Sequence, residues 1–433
     1  MGNFNSFNSV DSNVVAQAAK QYGTPAYLYD EQVIVDKCRS LLSIPSAYGL
    51  TVRYAMKANS NKSILKIVSA QGLKIDASSM NEVRRAAAAG ISYKDIILTT
   101  QEAPVGGEMQ ALREMMKQGL KYNVCSLQQL SNIGDFAAEN GIKLAIRYHP
   151  GYGAGESVTR NTGKYSCFGI HLSDLEHALE YANGKGLVFD HVHVHIGSGG
   201  DPAVWKSNID LELNTIEQYF PDATIVSFGG GLKEARMPDE KAADIKNLGE
   251  YAKMRIEEFY QRTNRKLRME IEPGTFVIAM AGFVLTRVAD KKKTGNDGQN
   301  FLVLDGGMEV NTRPLLYASQ HPFYIVSQAG ELLFSEFAEN ALYGYKAVLV
   351  GRCCESGDSQ CLNDEGVSVP RRMAEPELGD FVAIGGAGAY CSAMTLVNYN
   401  SHVQAPELLY TCDGTLKEIR RRQTLEQMLA NEI

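Results

Sequence analysis

No run of about 18 apolar residues occurs in this 433-residue chain, so no membrane-spanning helix is expected. The N-terminus lacks the basic and apolar regions of a secretory leader. No basic stripe and no long run of one sign is present. The net charge of −7 comes from 43 basic and 50 acidic residues mixed along the chain, which argues against a nucleic-acid partner or a charged tail. No CxxC pair occurs among the eight cysteines, of which only Cys353 and Cys354 are adjacent. No metal is therefore expected, and the thiols read as reduced, in a cytoplasmic protein. MGNFNS at residues 1–6 matches the loose N-myristoylation pattern, a cheap match read as chance.

What is present suits two domains and a large core: 44% of the residues are apolar. Between about residues 50 and 275 two periodicities alternate. VRYAMK, LKIDASS, DIILTT, KYNVCS, KLAIRYH, FDHVHVHIGS, TIVSFGGG and LRMEIEPG read as strands, each a β-favouring run ended by polar or glycine residues. KSILKIVSAQG, NEVRRAAAAG, GEMQALREMMKQG and ADIKNLGEYAKMRIEEFYQRTN read as helices, with Gly72, Gly90 and Gly119 at their stops. Eight such units predict a closed (β/α)8 barrel over residues 36–285; an open doubly wound sheet is the alternative. Residues 286–433 change texture to short strands and turns and predict a β-barrel or β-sandwich domain, with DKKKTGNDGQ (290–299) as an exposed loop. Residues 1–35 precede the barrel, and their strand-like TPAYLYD is available to the β domain.

A barrel gathers reactive groups at the C-terminal ends of its strands. Lys57 closes strand one, Asp76 lies on strand two, His195 and Ser198 end strand six, Gly229, Gly230 and Gly231 follow strand seven, and Glu272 ends strand eight. A lysine at a strand end is commonly a solvated charge. In a barrel mouth, desolvation frees the amine to form a Schiff base. A GGG turn lets backbone N–H groups approach a phosphate. His191, His193 and His195 share one strand face, but successive Cα atoms almost 7 Å apart suit one tetrahedral ion poorly, and no matching acidic cluster is evident in the sequence. One ring stacked on a flat cofactor, with the others filling the barrel, is the other reading. A buried Glu272 beside a pyridine nitrogen would favour the protonated ring. Together these groups describe a pyridoxal 5′-phosphate site.

The same residues resemble the fold-type III pyridoxal-phosphate decarboxylases, which share the alanine-racemase-like barrel, and within them the diaminopimelate decarboxylases. The resemblance runs over nearly the whole chain. It implies that Lys57 in YAMKAN is the cofactor lysine, that His195 and Ser198 in HIGS meet the ring and phosphate, and that FGGGL is the phosphate loop. It implies that EPG places Glu272 at the pyridine nitrogen, with Gly274 beside it. RPLLY implies substrate-binding Arg313 and Tyr317. CESGD implies a catalytic Cys354 followed by substrate-binding Glu355. GAGAYCSAM, with NYN after it, implies a cofactor- and substrate-binding Tyr390. HPGYGAGESVTRNTGKYSCFGI is similar to the glycine-rich loop before strand six. The resemblance also implies a homodimer in which Cys354 and Glu355 complete the partner's site.

Two departures bear on the substrate. Thr275 stands where the family has arginine after EPG, and Gly199 follows HIGS where glutamine is frequent. Threonine carries no charge and cannot make a bidentate fork. The expected reaction is decarboxylation of meso-2,6-diaminopimelate to L-lysine and CO2. The alternatives are a decarboxylase of another diamino or carboxylated amine, an amino-acid racemase on the same plan, and a binding protein without activity.

Overall fold

The computed structural model describes residues 11–151, 166–195, 197, 201–338 and 343–433. MGNFNS, Ser198, Gly199 and most of the glycine-rich loop after His149 lie outside the described residues. The chain divides into two compact units. One comprises Val35–Lys233 and Ala242–Phe276; the other comprises Met1–Ile34, Glu234–Lys241 and Val277–Ile433.

The first unit is a closed parallel barrel. Its strands one to eight are Leu50–Ala55, Lys74–Ala77, Ile96–Leu98, Lys121–Val124, Leu144–His149, Phe189–His193, Ile225–Ser227 and Arg268–Ile271. Each pairs in parallel with its neighbours: strand eight pairs with strand one through Met269 opposite Leu50, and strand four pairs with strand five through Asn123 opposite Ala145. That closure rules out an open sheet. A two-residue strand, Ile170–His171, adds to strand five.

Local chemistry sets where the helices begin and end. After strand two, Ser79 Oγ accepts the Glu82 N–H at 3.1 Å while the Glu82 carboxylate accepts the Ser78 N–H at 2.6 Å. After strand four, Ser126 and Gln129 repeat the device on the Cys125 N–H. Each pair satisfies helix-end donors that would otherwise be orphaned, and starts a helix immediately beyond the strand. The predicted glycine stops take positive φ (96° at Gly72, 92° at Gly90, 102° at Gly119). At the first, the Leu73 N–H reaches back to the Val68 carbonyl at 3.2 Å, closing the last turn.

The second unit is built on a mixed sheet. Ala26–Asp30 runs antiparallel to Gly282–Lys293 and parallel to Glu407–Tyr410. Gly282–Lys293 also pairs with Phe381–Ile384 and, across a bulge between Val288 and Asp290, with Asn300–Leu304. Helix Ser12–Tyr22 lays Val14, Val15, Ala18 and Ala19 on a core that includes Leu28, Leu285, Val326, Ala383 and Leu408.

Three sequence expectations are corrected here. The barrel unit ends at Phe276 rather than 285, because Gly282–Lys293 is a single strand whose first half is buried in the β unit. Residues 290–293, read as loop, are the exposed end of that strand; the turn follows at 294–299. The segment Glu234–Lys241, inside the predicted barrel span, belongs to the β unit.

Candidate active site

In the barrel, Lys57 sits two residues past the end of strand one, in a single 3-10 turn, Met56–Ala58, that leaves its side chain exposed while Met56 and Ala58 are buried. Strand eight lies alongside: the Ala55 N–H donates to the Pro273 carbonyl at 3.1 Å. Lys57 and Glu272 thus leave neighbouring strands at the same barrel end. Asp76 is buried on strand two, and the half-buried His195 follows strand six.

The electrostatics tie these groups together. Burial pushes the Asp76 carboxyl above its usual range, and the nearby Lys57 and Arg53 charges and a Thr99 hydrogen bond only partly oppose it. Burial, then Asp76 and Glu270, push Glu272 up in the same direction. His195 is held well below the usual imidazole range by burial and by the Arg147 and Lys57 charges. Its Nδ1 accepts the Gly230 N–H at 3.0 Å, so the remaining proton of the neutral ring is on Nε2.

The three alternating imidazoles have separate partners, and the acidic ones are Glu270, on strand eight, and the expected Glu272 just past its end. His191 Nε2 lies 3.3 Å from Glu270 Oε1, and Arg53 Nε lies 2.8 Å from the same oxygen. Burial raises Glu270, but Arg53 and His191 overcome it and hold that carboxyl below its usual value. His193 Nε2 lies 3.2 Å from Glu272 Oε2, its Nδ1 lies 2.8 Å from Asn123 Nδ2, and Ser227 Oγ donates to Glu272 Oε1 at 3.2 Å. Burial drives His191 down to about 4 and His193 well below its normal range. Neutral rings engaged in this way form a polar barrel core.

The glycine turn is packed to its limit. A Cβ at Gly230 would lie 2.6 Å from the Glu272 carbonyl oxygen, and one at Gly231 would lie 2.3 Å from that of Gly197. Trp205 Nε1 fixes the Gly230 carbonyl at 3.2 Å. Only glycine brings the turn this close to the ends of strands six and eight. The residues present fit pyridoxal phosphate: an exposed lysine, a neutral imidazole, two buried carboxyls and a glycine turn share one barrel mouth. Asp76 Oδ1 and His193 Nε2 are buried polar atoms without an aligned hydrogen bond. Gly274 lies between strand eight and the short helix Thr275–Ile278.

Within the β unit, the two adjacent cysteines are sorted by one carboxylate. Asp358 accepts the Met308 N–H at 2.6 Å on Oδ1 and the Cys353 N–H at 2.7 Å on Oδ2. Cys353 is buried with its Sγ 3.5 Å from Glu309 Oε2, and burial with Glu309 and Asp358 pushes its thiol far up. Cys354 is exposed, and its N–H donates to Asn400 Oδ1 at 2.8 Å. Asn400 holds a left-handed φ of 49°. Glu355 accepts from Ser356 Oγ and Tyr399 Oη at 3.2 and 3.4 Å. Glu309, Cys353 and Asp358 lie close enough to suggest a metal. Their oxygens are instead taken by the Gly307, Met308 and Cys353 N–H groups and by Arg352, 2.9 Å from Glu309.

Tyr390 has φ 58°, a conformation that costs a bulky residue about 1–2 kcal/mol and accompanies functional placement. Arg313 opens the one-turn helix Arg313–Tyr317, with its guanidinium 5.5 Å from the Tyr317 ring centre and Nη2 donating to Ser319 Oγ at 3.0 Å.

Sequence reasoning passed over Arg147, Asn123, Asn400 and Arg236. A signal existed for the first: an arginine interrupts the apolar run LAIRYH, and Arg147 proves buried. Asn123 interrupts the strand KYNVCS in the same way, whereas Asn400 and Arg236 sit in polar stretches that resemble ordinary surface.

Residues 33–279 match the family described as pyridoxal-dependent decarboxylase, pyridoxal binding domain. The diaminopimelate decarboxylase of Escherichia coli K12 is 30% identical over 98% of this chain and 98% of its own. A crystal structure of diaminopimelate decarboxylase superposes with a TM-score of 0.88 at 29% identity, covering 99% of this chain and 98% of that one. The Helicobacter pylori enzyme in complex with L-lysine gives 0.78 at 25% identity, with 96% and 98% covered. Among the described residues no helix is long and apolar enough to cross a membrane. The chain belongs to the pyridoxal-dependent decarboxylases, a family of carboxy-lyases, and within them to the diaminopimelate decarboxylases.

Proposed function

We propose that this protein removes CO2 from meso-2,6-diaminopimelate to give L-lysine, in the cytoplasm, as a homodimer with shared sites and without nucleic-acid or membrane partners. The observation that carries the reading is the placement of Lys57 and Glu272 on paired strand ends, with Asp76 and His195 at the same barrel mouth.

When bound, pyridoxal phosphate supplies a carbonyl that captures the substrate amine and a cationic ring that accepts the electrons of the breaking Cα–carboxylate bond. The chain supplies the rest. Lys57 Nζ is the anchoring amine. Glu272, raised by burial and by Asp76 and Glu270, keeps a proton available at the ring nitrogen. His195, fixed by the Gly230 N–H, presents a neutral ring face. Gly229, Gly230, Gly231 and Ser198 receive the phosphate, and Tyr390 contacts both cofactor and substrate. Cys354 Sγ returns a proton to the carbon that loses CO2. It serves the partner's site, and Glu355 beside it pairs the distal ammonium. Arg313 and Tyr317 hold the distal carboxylate. A pocket that pairs both distal charges rejects amines lacking them, because its own polar groups would be left unpaired.

Thr275 favours a second reading, a decarboxylase of another diamino acid. A CO2-release screen of meso-diaminopimelate against D- and L-lysine, ornithine and arginine decides. Fastest release from diaminopimelate with L-lysine as product supports the proposal. Faster release from any other amine replaces the substrate, and racemisation without CO2 overturns the reaction.

A further inference from the structure

At one place in the β unit, buried positive charge has no carboxylate bonded to it among the described residues. Arg236 is only 9% exposed. Its Nε donates to the Gly386 carbonyl at 3.0 Å, while its buried Nη2 has no partner among the described residues. Its stem packs so closely on Gly386 that a Cβ there would lie 2.9 Å from Arg236 Cγ and Cδ. The adjoining Gly385 carbonyl is 2.8 Å from His321 Nδ1. A carbonyl only accepts, so the proton is on Nδ1 and the buried, unpartnered Nε2 is a bare acceptor. Arg313 is the third member, with its Nε buried and unpartnered.

No carboxylate is bonded to either guanidinium among the described residues. Burial lowers Arg236 to about 9, and Arg313 is the next cause. The same two arginines, after burial, hold His321 neutral. On Arg236, Cys391, Glu240 and Glu234 oppose the lowering more weakly. Glu240 Oε2 is occupied by the Arg236 and Met237 N–H groups at 2.7 and 3.2 Å, and Glu234 Oε1 by the Ala235 N–H at 3.2 Å. Two guanidiniums whose charges act on the same buried imidazole, each with an unpartnered N–H group, suit an anion.

We infer that Arg236 acts with Arg313 as the receptor for the carboxylate on the non-reacting centre of the substrate, supplying the positive charge that Thr275 lacks. This rests on the diaminopimelate reading and names the residue that enforces it. Arg236 is a specificity residue: an amine lacking the distal carboxylate leaves its guanidinium buried without a counter-charge.

The product L-lysine keeps the L centre, so D-lysine is the same reacting centre without the distal carboxylate. The test compares the holoenzyme with R236Q and R236K on both substrates, and measures binding of pimelate, a dicarboxylate without amines, by calorimetry. A charge-assisted hydrogen bond contributes about 1.5–3 kcal/mol, so the ratio of kcat/KM for diaminopimelate to that for D-lysine should fall about 10- to 100-fold in R236Q. Pimelate affinity should fall in parallel, and R236K, with charge but no fork, should lie between. Circular dichroism and the visible absorbance of bound cofactor confirm that each variant is folded and loaded. An unchanged ratio and unchanged pimelate affinity in folded R236Q, or in R236K should R236Q not fold, overturn the inference. Arg236-dependent pimelate binding in a wild type that releases no CO2 from diaminopimelate would keep the receptor and discard the substrate.

Discussion

Asp358→Asn changes one atom and should release the cysteine loop. Each carboxylate oxygen of Asp358 accepts one backbone N–H, from Met308 and from Cys353. An asparagine offers one oxygen, so its amide must point N–H groups at the other backbone donor whichever way it is turned. The side chain cannot retreat, because the Cα atoms of Gly307 and Gly351 crowd it: a Cβ on either would come within 2.0 and 2.3 Å of an Asp358 oxygen. The variant loses one charge-assisted bond, about 1.5–3 kcal/mol, and strands a buried N–H at about 1–3 kcal/mol, together about 2.5–6 kcal/mol of local stability. Cys353, buried and with its thiol pushed far up, should become accessible. The assay is timed iodoacetamide labelling with peptide mass spectrometry. Cys353 should label about 100-fold faster or more in the variant, as expected for local opening, and turnover should fall because Cys354 loses its placement. Equal Cys353 protection in both proteins would refute the claim that Asp358 sorts the two thiols.

If Cys354 serves the partner's site, Lys57→Ala and Cys354→Ala homodimers should each be inactive or nearly so. Their co-expressed mixture should recover about a quarter of wild-type activity through hybrids with one intact site; no recovery would place both residues in one subunit's own site. Glu212 gives a pH prediction. It is fully buried in helix Pro202–Tyr219, and burial with Glu272 nearby raises its carboxyl well above 4.5. A raised carboxyl contributes stability below the unfolded value of about 4.3 that is lost as pH rises toward the folded value. The thermal midpoint of wild type should therefore fall relative to Glu212→Gln from pH 5 to pH 9, and a constant difference would show that Glu212 is not protonated in the folded protein.

The barrel was legible because each strand is a short apolar run stopped by polar or glycine residues, and all eight appear within a few residues of their expected places. Lys57, Asp76, His195, the three glycines and Glu272 follow from that count, since parallel strands put their C-terminal ends together. The pairings across the barrel were not legible. His191 with Glu270 and His193 with Glu272 join strands six and eight, which are not adjacent. Strand periodicity gives the face of each residue, not which residue stands across the interior. The domain boundary slipped because Gly282–Lys293 begins apolar and ends in DKKK, so its two halves read as different elements. Arg236 was hidden in KEARMPDEK, where mixed charge reads as solvated surface and only the fold reveals burial. The choice between Cys353 and Cys354 rested on resemblance alone, because the carboxylate that separates them acts through backbone N–H groups.

The central claim is that one particular amine carries the cofactor. Borohydride reduction of the holoenzyme, followed by digestion and mass spectrometry, should place the added mass on the peptide containing Lys57, and Lys57→Ala should lose both the label and the visible absorbance. A label on any other lysine, or a Lys57→Ala enzyme with wild-type turnover, would contradict it.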